Sequence, residues 1–503
     1  MRRIVIGTIH GIAPRYTPEL RKGYAQVAHN VDLADGKLSP ARGNRDVAAG
    51  SGNTLHEHGG SWLTGTDRYY LSWPINNHDL LFFLDGGTLK KTIAGVTADA
   101  GQDAPEAPTT ALNGAGDIAD TVQYALTWTR DVGGFTDQSP LGALSGALVA
   151  DSNQVNVTRP EPPALVTHWN LFRVGELTGV LQLVATLPVD TATYTDNLTD
   201  LGPGCTTYYT SAQGVEIVWA KPPELTGITR KPHSGMLFGW KGSTLYWSEP
   251  GFPDAWPAAY TMNFPDTIKT VMVFGGSVAV LLASSPFRVD GTHPELLQQS
   301  EPLGEEPCIG TAACATSKGI LYLSDSGIAL FNLYETQMVT GGPFDEAWFK
   351  QNIEPAGAIL AENDGVTWLF HSAGCLRYAH KEWTTRSTVA TAAYKRPSDG
   401  GLYAIVSGRI VDIDAGATGS YTWRSGHLTH GGEDDVPWDR VIVAGSGDVA
   451  LTIRVDDEIK ATKTMDFSTD RGRRLGLRPE DAGRTLDVEF IGTGTVKEVT
   501  IHG

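Results

Sequence analysis

At 503 residues the chain is too long for one small core, and its length fits about three domains. Hydrophobic residues make up 41% and charged residues 19%, with 58 glycines and 13 tryptophans, which describes a turn-rich folded β protein and excludes a disordered or mainly helical one. The formal net charge of −18 excludes an affinity for nucleic acid or an anionic membrane carried by overall charge, because phosphate binding needs clustered Lys and Arg.

Met1-Arg2-Arg3 leads into only Ile4, Val5 and Ile6, too short for the apolar core of a secretion signal. Synthesis in the cytoplasm is the expectation. Residues 25–33 alternate weakly, and Asp35-Gly36 turns them into Lys37-Leu38, a hairpin or a lone strand available to pair elsewhere. From Leu80 the pattern strengthens: Leu80–Leu84 is a strand, Asp85-Gly86-Gly87 a turn and Thr88–Ile93 the return.

The same unit recurs at Met236–Trp247, turning at Lys241-Gly242, and at Ser277–Val289, turning at Ser284-Ser285-Pro286. Further copies are Ile320–Leu333, Val366–Tyr378 and Leu402–Ile413, turning at Asp325, Ser372 and Ser407. The turns repeat every ~40–50 residues, the period of propeller blades. One gap breaks the period, between the turns at Asp85 and Lys241, and leaving out 105–215 restores it. A hairpin alone cannot bury its apolar face, whereas blades packed radially can. Six units favour a six-bladed β-propeller, with five or seven blades as the neighbouring counts because the N-terminal hairpin is available to close a ring.

The insert opens on the Pro-rich hinge Asp103–Pro108 and carries about seven short strands, among them Tyr124–Trp128, Trp169–Val174 and Leu181–Ala185. It resembles a fibronectin type III sandwich, a module a blade loop tolerates because its ends lie close together. After Thr422-Trp423-Arg424-Ser425 the blade pattern stops. Gly431–Asp435 reads as a linker or loop, and the runs at 441–443, 449–455, 486–491 and 496–501 as a small terminal β-sandwich. The expected division of this all-β chain is therefore 1–104 (an N-terminal strand or hairpin and the first blade), 105–215 (the insert), 216–424 (the remaining blades) and 425–503.

Candidate chemistry is thin. The cysteines, Cys205, Cys308, Cys314 and Cys375, include no C-x-x-C pair and read as buried free thiols. His56-Glu57-His58 places two imidazoles on one face of a strand, but no third ligand sits at a diagnostic spacing; His427 and His430 are spaced for a helix in a β context. Residues 361–368 approach the Asp-box of sialidase propellers but lack its opening Ser and place Gly365 directly after Asp364, so they read as a hairpin turn, as does Ser324–Gly327. Asp434, Asp435, Asp456, Asp457 and Asp466 read as a solvated face, and Gly445-Ser446-Gly447 as a turn. There is no phosphate loop, no G-x-S-x-G elbow and no H-E-x-x-H. No catalytic residue, metal or cofactor is assigned, and the chain reads as a non-enzyme. The longest apolar region, 271–283, is interrupted by Gly275-Gly276 and shorter than a membrane span. The tryptophans at 247, 256, 368 and 383 read as blade core and subunit contacts.

Gly11–Arg15, Ala25–Pro40, Leu245–Trp256 and Phe287–Pro294 together resemble the tail nozzle proteins of short-tailed bacteriophages. The likeness covers most of the chain, and its motifs are structural turns. It implies a virion structural protein: a homohexameric ring at the distal end of the tail tube, docked under an adaptor ring, holding tail fibres, with a lumen that gates genomic DNA during ejection without binding it specifically. In that setting Ser248, Glu249, Phe252, Asp254 and Trp256 of the loop leaving the Met236–Trp247 hairpin, and the basic residues Arg471, Arg473 and Arg474 near Arg478, are the candidate subunit-interface residues. Two other classes remain: a propeller that binds a host-surface glycan or receptor, and a glycan-active propeller enzyme.

Overall fold

The computed structural model describes residues 3–19, 23–75, 78–176, 179–199, 217–429, 436–467, 473–478 and 481–503. Cys205, His430, the 431–435 linker and Arg471 lie outside the described residues. The chain is almost entirely β; among the described residues one α-helix occurs, Glu346–Asn352, whose first turn is capped by the Asp345 side chain accepting from the Trp348 N–H. Each of the six hairpins expected from turn chemistry is a strand–turn–strand unit. At tips such as Gly86-Gly87, with φ of 59° and 87°, and Asp364-Gly365, with φ of 51° and 78°, Gly and Asp accept the left-handed backbone of a tight hairpin, whereas the Ser284-Ser285-Pro286 tip turns without positive φ.

The chain divides into two compact units. One comprises Arg68–Val278 and Val289–Ser300. It contains two four-stranded antiparallel meanders. The first is Tyr70–Ile75, His78–Asp85, Thr88–Ile93 and Val96–Asp99; the second is Gly227–Lys231, Met236–Lys241, Thr244–Trp247 and Thr261–Asn263. They share a core in which Trp73, Leu80, Phe82 and Leu89 meet Leu225, Ile228, Leu237 and Trp256.

Between the meanders in sequence, two further sheets pack face to face. Thr109–Ile118, Asn153–Thr158 and Thr193–Asp196 form one; Phe135–Gln138, Thr121–Val132, His168–Gly175 and Gln182–Pro188 form the other, with Leu148–Val149 added to Thr121–Val132. Alternation along the strands turns Tyr124, Leu126, Trp128, Trp169 and Leu171 onto Ile118, Val155 and Val157, so the interior is apolar and aromatic. One ionic contact enters it: the buried carboxylate of Asp196 accepts from Arg173 at 2.7 Å and from the Tyr124 hydroxyl at 2.9 Å.

The other unit comprises Met1–Asp67, Ala279–Arg288 and Glu301–Gly503. Ala313–Ala315, Ile320–Ser324, Gly327–Phe331 and Thr336–Met338 form one meander, and Ile359–Asn363, Val366–His371, Gly374–Ala379 and Glu382–Arg386 another. A third, Ala392–Lys395, Leu402–Val406 and Arg409–Asp412, takes its fourth strand from far upstream, where Arg45–Ala49 pairs with Arg409–Asp412.

The C-terminal part is organised on one long strand, Arg440–Val455. Its first half pairs with Thr495–His502 and Arg473–Gly476, its second with Leu486–Gly492 and Glu458–Phe467. The change of partner falls at Gly445-Ser446-Gly447. These residues are not a turn between strands, as their spacing suggests, but an irregularity inside one strand, where a Cβ on residue 445 would lie 2.2 Å from the Thr495 carbonyl oxygen. The N-terminal chain completes this region. Arg3–Ile6 pairs with Thr495–His502, and Ala25–His29 pairs antiparallel with Tyr421–Ser425 while His29 sits beside Thr385 of the second meander.

Candidate functional site

The loop leaving the Met236–Trp247 hairpin faces inward. Ser248, Glu249, Asp254 and Trp256 are all buried, and Trp247 packs in the core as expected. Ser248 Oγ accepts from the Leu237 N–H, the Trp256 indole N–H donates to the Pro253 carbonyl, and the Glu249 carboxyl is pushed above the usual carboxylate range by burial. Prolines at 250, 253 and 257 withhold ladder donors, so the loop's polar groups find partners within the unit. Phe252, half-buried edge-on against Trp219 at 5.7 Å between ring centroids, is the loop's largest side chain with surface to offer.

Asp254 leads to a concentrated set of buried charges. Its Oδ2 accepts from Lys91 Nζ at 2.7 Å and its Oδ1 from the Gly101 N–H at 2.7 Å. Lys91, on the strand Thr88–Ile93, also donates to Asp137 on Phe135–Gln138, and its Nζ lies 4.9 Å from the centre of the Phe135 ring. Asp137 accepts in addition from Arg130 Nε at 3.0 Å and from the Gln102 amide. The side chains of Lys91, Asp137 and Asp254 are 2%, 2% and 1% exposed. Burial is the largest influence on the Asp254 carboxyl and pushes its pKa up; Lys91 opposes that shift and Asp137 adds to it. Two cations and two carboxylates thus share a site withdrawn from water. Sequence reading missed it, because Lys91, Asp137 and Asp254 belong to no local motif.

In the other unit, Arg377 and Arg386 lie over the Trp368 ring at 5.5 and 4.9 Å, and both reach Asp414, at 3.5 and 2.5 Å. These arginines are committed to an aspartate and an indole, an arrangement that locks neighbouring strands through cation–π and ionic contact.

Among the described residues one group of three metal-ligating side chains converges, His427, Asp457 and Asp487, with candidate atoms within 4.8 Å of one another. A guanidinium already occupies the ground a cation would take: Arg424 donates to both oxygens of Asp487, at 2.8 and 2.7 Å, and to Asp457 at 2.7 Å. His427 stands between Glu19, at 3.2 Å, and Asp457, at 3.4 Å, beside a cleft of about 340 Å³ lined by Ile6, Tyr24, Trp423 and Leu428. His56 is buried against the Tyr394 ring rather than displayed, and burial pushes its pKa down to about 4. Cys308 and Cys375 are buried free thiols, with Cys375 pushed up to about 12 by burial, and Cys314 is half-buried. Arg473 and Arg474 are exposed, Arg473 Nε donating to the Asp466 carbonyl at 3.0 Å.

No family model matches the chain. No curated protein matches it either. Among solved structures, similarity extends to BBS1N in complex with ARL6DN, at 10% identity over 74% of this chain and 96% of that one, with a TM-score of 0.31. The Neurospora crassa Pan2 WD40 domain is similar at 8% identity over 52% of this chain and 84% of that one, TM-score 0.28. PorZ, a surface component of the type-IX secretion system of Porphyromonas gingivalis, is similar at 10% identity over 84% of this chain and 86% of that one, TM-score 0.28. Superpositions this loose establish no shared activity.

Proposed function

We propose that this chain is a structural virion protein, a six-bladed β-propeller carrying a fibronectin type III-like insert and a C-terminal sandwich, which assembles as a ring at the distal end of a short phage tail. One observation carries the reading beyond the resemblance itself: the stretches that resemble the nozzle family are joints of the fold. Gly11 packs directly on the Trp383 backbone, Ala25–His29 bridges Tyr421–Ser425 and Glu382–Arg386, and Asp254 and Trp256 anchor the exit loop. A resemblance carried by such joints fits a common architecture rather than a common surface patch.

In this reading the ring's lumen passes DNA without holding it, since the chain's net charge of −18 is repeated in every subunit. Contacts between copies use Phe252 and the outer backbone of the exit loop together with Arg473 and Arg474, because the other loop side chains are consumed internally. The adaptor ring and tail fibres dock on the remaining faces. Particle mass and negative-stain images of the purified chain test this: sixfold rings are expected. A stable monomer at virion-like salt overturns it, and glycan capture by that monomer replaces it with a receptor-binding function.

A further inference from the structure

Around the Lys91–Asp254 ion pair meet three features that an ion pair alone does not need. The ammonium nitrogen is 2.7 Å from Asp254 Oδ2, and both side chains are at most 2% exposed. The opposite oxygen, Oδ1, receives a backbone N–H from Gly101 at 2.7 Å, where a carbonyl oxygen would need a donor as negative charge develops on it. A second carboxylate, Asp137, touches the same nitrogen and is backed by Arg130 and Gln102. The Phe135 ring covers the nitrogen from a further side. Gly101 is shaped for its part: its φ is +69°, and a Cβ there would meet Pro222 Cδ at 2.9 Å and the Asp254 carbonyl oxygen at 3.1 Å.

We propose that Lys91 and Asp254 condense to an intramolecular isopeptide bond, with Asp137 as the proton carrier and the Gly101 N–H as the oxyanion donor. Lys91 enters as the ammonium, Asp254 as the carboxylic acid and Asp137 as the carboxylate. One ammonium proton passes to Asp137, and the freed nitrogen pair attacks Asp254 Cγ. The carbonyl π pair moves onto Oδ1, facing Gly101. Asp137 then returns its proton to Oδ2, the Cγ–Oδ2 bond breaks, and Oδ2 leaves as water. Asp137 takes the surplus proton from the new amide nitrogen. The products are one amide, one water and a protonated Asp137, with no oxidation or reduction.

Proximity supplies the rate, since oriented intramolecular partners reach effective molarities on the order of 10⁵–10⁸ M. Burial supplies direction: each ion of a buried pair carries a desolvation cost, which a neutral amide does not. Burial also favours the acid form of Asp254 that the attack requires. The two residues lie 163 positions apart, so the bond closes a loop containing the whole 109–196 sandwich and clasps its base covalently.

The mass of the full-length chain, measured under denaturing conditions, tests this. The expected wild-type mass is lower than the sequence mass by one water, and digestion yields a branched peptide joining Lys91 to Asp254 with no tryptic cut after Lys91. Lys91→Arg and Asp254→Ala restore the full mass, and Asp137→Asn leaves most of the chain at full mass. A wild-type chain at full mass overturns the proposal. So does a water deficit that persists in Lys91→Arg, which marks a succinimide at an Asp-Gly site, or a branch found at Asp137. The wild-type mass and peptide map decide the matter by themselves, so a variant that fails to fold leaves the test intact.

Discussion

The carbonyl oxygen of Trp383 stands where a side chain on residue 11 would begin: a Cβ on Gly11 would lie 2.1 Å from it. The approach is held by the Ile12 N–H, which donates to that same carbonyl at 2.9 Å, and by the Glu382 carboxylate, which accepts from the Gly11 N–H at 2.8 Å and faces His10 Nδ1 at 2.7 Å. Gly11→Ala forces two backbones apart and is expected to cost about 1–3 kcal/mol, the range of overpacking. A lowered urea midpoint with an unchanged m-value checks this.

Asp487 is almost wholly withdrawn from solvent and receives a two-pronged guanidinium from Arg424. Removing the cation leaves a buried carboxylate short of its main partner, so Arg424→Ala is expected to destabilise by about 3–5 kcal/mol. The double variant Arg424→Ala, Asp487→Ala recovers part of that loss. A double-mutant cycle by chemical denaturation measures the coupling; strict additivity would contradict the pairing.

His56 makes the fold acid-sensitive. Burial depresses its folded pKa to about 4, below the ordinary value of 6.5, so the unfolded chain takes up the proton first as pH falls. The stability contributed by neutral His56 is fully present above about pH 6.5 and declines toward pH 4, by at most about 1.4 kcal/mol per pH unit. His56→Phe keeps an aromatic ring against Tyr394 and is expected to flatten that limb. Stability followed from pH 7 to pH 4.5 in both proteins reads the difference.

The helix Glu346–Asn352 begins at a side-chain cap, with Asp345 Oδ1 accepting from the Trp348 N–H at 2.8 Å. A seven-residue helix has little propagation to offset its ends. Asp345→Ala is expected to cost about 1 kcal/mol and to speed amide exchange across Glu346–Asn352.

The hairpins were readable because their information is local. A tip such as Asp364-Gly365 carries its backbone preference in two adjacent residues, and the flanking alternation of Val366–His371 gives the face. The burial of Trp247, Trp368 and Trp383 followed from the same pattern. Gly445–Gly447 misled for a related reason: glycines that permit a turn also permit a strand to shift partners, and only the neighbouring strands decide between the two.

Local pattern alone set a chain that is almost entirely β, the positions of its hairpin tips and the apolar faces of its hairpins, since pleat periodicity and turn chemistry act over a few residues; the helix Glu346–Asn352 was not among them. Tertiary structure decided which distant segments meet. Arg45–Ala49 completes a sheet with Arg409–Asp412, Ala25–His29 joins Tyr421–Ser425, and Lys91 finds Asp137 and Asp254. Strand edges offer the same N–H and C=O groups to any partner, and a charged side chain bears no mark of the opposite charge it will be buried with. Those choices are made by the shape of the core that brings them together.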